Sequence, residues 1–216
     1  MKLKYFYAVL LVVLAVVVVR AFWPSGPART LPQHFELSER VLWKLTTTLD
    51  AQAGGDNLGT VSAEMLSLTR SFVFKDNTGA VAATGSVGMF TWGTQINMVD
   101  RSGKAIGAIK EEVFSSVFKT YTTYQVLDAS GQAIATSEKL EFLSTDILLK
   151  SSSGVVMAEL HRSWFRLFGD RWTVDIRDPR VDPRLTLMIA AFKTGADNDG
   201  AESGGSNSTT KPGSKK

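Results

Sequence analysis

The chain has 216 residues, 44% of them hydrophobic and 21% charged, with 24 Lys and Arg against 21 Asp and Glu and no cysteine. Without cysteine there are no disulfides, no thiol catalysis and no zinc site built on thiolates, and His34 and His161 are the sole imidazoles. The net charge of +3 arises in residues 1–33, where Lys2, Lys4, Arg20 and Arg29 meet no acid; from His34 to Gly195 there are 17 cations against 18 anions, and a near-neutral domain argues against nucleic acid as a partner.

The chain opens on Tyr5 to Val19, an unbroken apolar run preceded by Lys2 and Lys4 and followed by Arg20, Phe22 and Trp23. With Arg20 snorkelling, residues 1–23 approach the ~20 that span a bilayer and predict an N-terminal transmembrane anchor. Tyr5, Tyr7, Phe22 and Trp23 stand where interfacial aromatics prefer to lie. A cleaved secretory signal shares the basic start and the apolar stretch, but no A-x-A site follows the run, which favours an uncleaved anchor. Lys2 and Lys4 compete with Arg20 and Arg29 on the other flank, and the orientation favoured puts the N-terminus in the cytoplasm and the rest of the chain on the opposite side. Residues 24–33 carry Pro24, Pro27 and Pro32 without apolar periodicity, as a linker does.

The domain expected over residues 34–195, about 160 residues and so one core, is patterned for β-structure. One turn recurs at Asp76–Gly79, Asp100–Gly103, Asp128–Gly131 and Ser151–Gly154. Asp or Ser at its first position accepts local backbone hydrogen bonds, and Gly at its fourth takes the positive φ that closes a hairpin with a bulge. The flanks alternate: Phe72 and Phe74, Ile96 and Met98, Tyr124 and Val126, and Ile147 and Leu149 each lead into a turn, so one face of each hairpin is buried. Phe72 to Thr84 matches Tyr124 to Thr136 at an offset of 52 residues, which reads as an internal duplication. Antiparallel strands repeated in this way favour a closed barrel over a sandwich, since closure removes the edges.

The last apolar stretch has a different period. Asp182 caps, Pro183 suits the first helical position, and Leu185, Leu187, Met188, Ile189 and Phe192 continue a helix apolar nearly all round. At about a dozen residues it would reach roughly 18 Å, too short for a bilayer, so it is expected to be buried inside the barrel. Residues 196–216 lack large apolar side chains and predict a disordered polar tail.

The stretches Val155 to Ile176 and Val181 to Ala191 carry a family resemblance. Over roughly Phe35 to Lys193 the chain resembles the LURP-one-related family, which shares the tubby C-terminal-like barrel with tubby proteins and phospholipid scramblases. The resemblance implies a barrel of about twelve strands around a hydrophobic C-terminal helix. It also implies an association with lipid, because tubby domains bind phosphoinositides and scramblase-like members associate with lipid. The chain departs from scramblases in its N-terminal anchor, its lack of cysteines and the absence of an acidic calcium loop.

The candidate binding residues are Arg162, Arg166, Arg171 and Arg177, interleaved with Trp164 and Trp172 and followed by Arg180 and Arg184. Guanidinium forks suit phosphate groups, and the competing reading is of solvated arginines paired with Asp170, Asp175, Asp178 and Asp182. Those carboxylates lack calcium-loop spacing, and His161 stands without a second histidine, so neither a metal site nor a catalytic residue is expected. No P-loop, G-x-S-x-G or H-E-x-x-H is present, and no cofactor is expected. The sequence thus predicts a non-catalytic, membrane-anchored β-barrel that acts at the membrane surface and contacts phospholipid head groups, or alternatively a structural or regulatory protein-interaction domain of the envelope with no lipid role.

Overall fold

The computed structural model describes residues 27–40, 47–66, 69–90, 93–115, 120–140, 144–165 and 169–204. The predicted anchor lies outside them, and no helix among the described residues is long and apolar enough to cross a membrane. The described strands are β1 (His34–Glu39), β2 (Thr48–Ala53), β3 (Asp56–Leu66), β4 (Thr69–Asp76), β5 (Val81–Phe90), β6 (Gly93–Asp100), β7 (Ala105–Ser115), β8 (Thr120–Asp128), β9 (Ala133–Ser137), β10 (Asp146–Lys150), β11 (Val156–Phe165) and β12 (Gly169–Ile176). A helix, α1 (Pro183–Gly204), follows. Every strand pairs antiparallel with its neighbour in sequence, and β1 pairs with β12 to close the barrel.

Alternation along the strands sends one side chain in two inwards, as a half-buried sheet requires. Phe35 and Leu37, Leu49 and Ala51, Phe72 and Phe74, Ile96 and Met98, Ile147 and Leu149, and Trp172 and Val174 are all at most 2% exposed. They form one core with Leu185, Leu187, Met188, Ile189 and Phe192 of α1, so the helix packs against the face that the strands bury. Every residue from Leu185 to Gly195 is buried, which no helix lying on an outer wall achieves. The Phe192 ring meets Phe72 on β4 edge-on at 6.0 Å and Tyr124 on β8 at 6.5 Å. Gly107 on β7 makes room for the helix: at its φ of 153° an added Cβ would stand 2.4 Å from the Leu127 carbonyl oxygen and 3.2 Å from a Leu185 methyl.

The recurring turns fall where the sequence placed them. Asp76, Asp100 and Asp128 each accept two or more local N–H groups and the hydroxyl of Thr78, Ser102 or Ser130. Gly79, Gly103, Gly131 and Gly154 have φ between 82° and 84°, and a register shift follows in each hairpin, the extra residue of a bulge.

These turns and the Gly54–Gly55 turn share one end of the barrel, here the turn end. The odd strands finish and the even strands begin at the other end. Strand β12 finishes at the turn end, so α1 enters there, capped by Asp182, whose carboxylate accepts the Arg184 N–H at 2.9 Å. The linker also arrives there: Asn77 accepts the Arg29 N–H at 2.9 Å and donates to the Pro27 carbonyl at 3.3 Å, while Arg29 pairs with Asp56 at 2.6 Å.

The helix departs from the expected length. It continues past Phe192 and past the predicted boundary at 195 to Gly204, taking in residues assigned to a disordered tail. Lys193 and Asp197 lie one turn apart and pair at 2.7 Å in the barrel interior, which offsets the missing apolar side chains there.

Candidate functional site

The four arginines proposed as a basic face do not share one. Arg162 points into the barrel at 2% exposure, as its register opposite Trp172 dictates. Arg171 on β12 and Arg177 just past its end are both exposed, and Arg166 falls outside the described residues. Arg177 pairs with Glu159 across the strands at 2.9 Å, whereas Arg171 has no ion-pair partner among the described residues. Beyond β12, Arg180 grips Asp178 at 2.7 Å and Arg184 grips Asp182 at 2.6 Å. The Arg180 guanidinium and N–H hold the Asp178 carboxyl down at about 2.

The inward turn of Arg162 creates the most charged buried site among the described residues. Its guanidinium bonds to Asp170, with Nε at 2.9 Å, and to Asp197 of α1, and lies over the Trp172 ring with Cζ 5.3 Å from the centroid. The Lys193 ammonium donates to both oxygens of Asp197, at 2.7 and 2.9 Å, and Trp172 Nε1 donates to the Thr194 hydroxyl at 2.9 Å. The Asp170 N–H reaches the Glu39 carboxylate at 3.0 Å, tying the set to β1. Glu111 on β7 accepts the Tyr124 hydroxyl at 3.3 Å. Burial raises the Glu111 carboxyl above the ordinary range against the Tyr124 bond and the Lys193 charge, and burial with the Glu111 charge pushes the Tyr124 phenol well up.

Both cations of this cluster are paired, Arg162 with Asp170 and Asp197 and Lys193 with the same Asp197, so the arrangement fastens the last turns of α1 to β11 and β12. It presents no charge to a ligand, and stripping one partner away would leave a buried ion. The sequence reading missed it because Asp197 had been assigned to a tail. The available signal was the i, i+4 spacing of Lys193 and Asp197 at the end of an apolar helix.

Both histidines sit on the outer wall: His34 Nδ1 lies 2.6 Å from Asp175 and His161 Nδ1 2.6 Å from Asp146. Asp182 caps α1 as expected, Asp178 accepts the Arg180 N–H in the turn before it, and Asp175 serves His34. Among the described residues no three His, Asp or Glu converge as a metal site would require.

No family model matches the chain. No curated protein matches it either. Among solved structures it is similar to an X-ray structure of a protein from Arabidopsis thaliana, at 13% identity over 82% of this chain and 98% of that one, with a TM-score of 0.33. A likeness of that degree carries nothing about activity.

Proposed function

We propose that the chain is a non-catalytic binding module, a tubby-like barrel of two related halves, held at a membrane by its N-terminal apolar run and contacting phospholipid head groups there. The observation that supports this is the filled interior. With Leu185 to Gly195 buried within a closed sheet, a partner has only the outer strands and the two ends to bind. Of the original set, Arg171 and Arg177 are exposed on that outer surface, where a phosphate could reach Arg171 directly and would compete with Glu159 for Arg177.

The same face favours a second reading. Glu159 neutralises Arg177, and Asp175 and Asp146 stand beside His34 and His161, so the face of β1, β12, β11 and β10 carries carboxylates among its cations, which weakens attraction to an anionic surface and suits a protein partner.

The two separate when the full chain is reconstituted with phospholipids that carry a photoactivatable head group. Head-group binding gives crosslinks to β12 that are stronger with phosphatidylglycerol than with phosphatidylcholine, fade with salt and fall several-fold in Arg171→Glu/Arg177→Glu. Crosslinks confined to residues 1–26, unchanged by those substitutions, would move the conclusion to the protein partner.

A further inference from the structure

The linker is docked on the turn end of the barrel along its described length. The Pro27 carbonyl accepts the Asn77 side-chain amide at 3.3 Å, the Arg29 N–H donates to the same side chain at 2.9 Å, and the Arg29 guanidinium pairs with Asp56 at 2.6 Å. Leu31 packs against the core, and the Gln33 carbonyl accepts the Ile176 N–H at 2.8 Å, so the chain reaches β1 without leaving that end. Exposed cations stand beside this docked segment. Asn77 belongs to the β4–β5 turn, whose Asp76 takes the Arg101 guanidinium at 2.9 Å, and Arg101 and Lys104 lie in the β6–β7 turn. The Arg184 charge acts on Asp100 at the start of that turn, which sets the entry of α1, with Arg180, alongside it.

We infer that the turn end is the face the barrel lays on the bilayer that holds its own anchor, with Arg101, Lys104 and Arg180 meeting the head-group phosphates. The inference deepens the membrane-held reading above and rests on it. The charges of this end are arranged unequally. Asp100 and Asp128 are turned onto the hydroxyl and N–H donors of their own turns. Arg101 and Arg180 pair with Asp76 and Asp178, yet the guanidinium side chains stay 62% and 65% exposed while those carboxylate side chains are 3% and 24% exposed. Lys104 is exposed and has no ion-pair partner among the described residues. A surface laid against this end therefore meets cations first, and the planar forks of Arg101 and Arg180 suit phosphate oxygens.

Chain length selects which bilayer this is. From Trp23, where the predicted anchor ends, to Pro27 the chain can extend about 14 Å. The head-group layer of one leaflet takes up roughly 5–8 Å of that reach. Strand β7, with 11 residues, carries the barrel about 28 Å along its axis at a usual tilt, so the opposite end lies beyond the tether. A bilayer that holds residues 1–23 is thus kept against the turn end, and the bonds of Pro27 and Arg29 to Asn77 and Asp56 hinder the barrel from swinging over.

The absence of cysteine allows single-site labelling of the full chain. Ala80→Cys in the β4–β5 turn and, separately, Thr48→Cys at the start of β2 on the opposite end are labelled with a fluorescent dye. Each is reconstituted into phosphatidylcholine–phosphatidylglycerol vesicles in which a fraction of the head groups carries a nitroxide quencher. The dye at 80 is expected to be quenched several-fold more strongly than the dye at 48. Lys104→Glu/Arg180→Glu, checked for native circular dichroism, should lower the quenching at 80 several-fold, and raised salt should do the same without any substitution. Equal quenching at the two positions overturns the inference. So does quenching at 80 that neither the charge reversal nor salt alters, because the tether alone would then hold that end near the lipid. Release of the chain by an alkaline wash would overturn the membrane-held reading itself, and so is distinguishable from failure of the turn-end contact.

Discussion

At the scale of single residues the carboxylates divide by the sign of their response to pH. Hydroxyl and N–H donors from Ser102 and Ser130 and their neighbours hold Asp100 and Asp128 below the ordinary range. Burial works against Asp76, yet the Thr78 hydroxyl, two N–H groups and the Arg101 guanidinium outweigh it and lower that group as well. A depressed folded value means that the stabilisation is complete above the unfolded value of about 3.9 and is lost as the pH falls through the folded one. Asp76→Asn is therefore expected to cost about 1 kcal/mol at neutral pH, with the gap to the parent closing in thermal unfolding as the pH falls below the unfolded value. Glu111 has the opposite sign: its raised carboxyl stabilises the fold below its unfolded value and loses that contribution as the pH rises. Relative to the parent, Glu111→Gln should gain stability as the pH climbs from about 4 towards 7, and unfolding midpoints that run parallel across that range would contradict it. The turn carboxylates were legible because an Asx turn is local and its Gly has a fixed place. Glu111 was not, since its burial depends on a helix that arrives some eighty residues later in the chain.

At the scale of elements, α1 shows where reading by composition stops. An apolar run predicts where a buried helix begins, and Asp182, Pro183 and Leu185 did so here. Where such a helix ends is decided by whether its polar residues find partners, and Asp197 finds Arg162 on β11 and Lys193 one turn back. The same pairing moved Arg162 from a supposed surface patch to the interior, which a strand read without its register cannot reveal. A chain ending at 195 is thus expected to be destabilised by about 3–5 kcal/mol, because two buried cations lose their shared carboxylate. A chain ending at 204 should match the parent, and Asp197→Ala alone should reproduce most of the shorter truncation's loss. Chemical unfolding of the three in one detergent decides the matter: equal midpoints for the 195 and 204 forms would show that the buried pairing contributes nothing net.

At the scale of the whole molecule, a closed barrel has no edge but does have a weakest seam. Strands β7 and β8 pair without interruption from Gly107 with Asp128 to Ser115 with Thr120, and β11 with β12 from Ala158 with Ile176 to Phe165 with Gly169. Between β9 and β10 the described pairing is confined to Leu149 with Ser137 and Lys150 with Thr136. An ion pair from Lys150 to Glu138 crosses this seam, and the Thr122–Leu140 bridge ties the chain leaving β9 back to β8. Local opening follows the least supported backbone hydrogen bonds, so the barrel should part here first. In native-state hydrogen exchange the amides joining β9 to β10 are expected to exchange well before those joining β7 to β8, and Lys150→Ala to accelerate them further while leaving β7 and β8 unchanged. Because Ile147 and Leu149 face the same core as α1, an opening confined to this seam would expose the helix without unfolding the remaining wall. Uniform exchange across all the seams would instead mean that the barrel and its helix open as one cooperative unit.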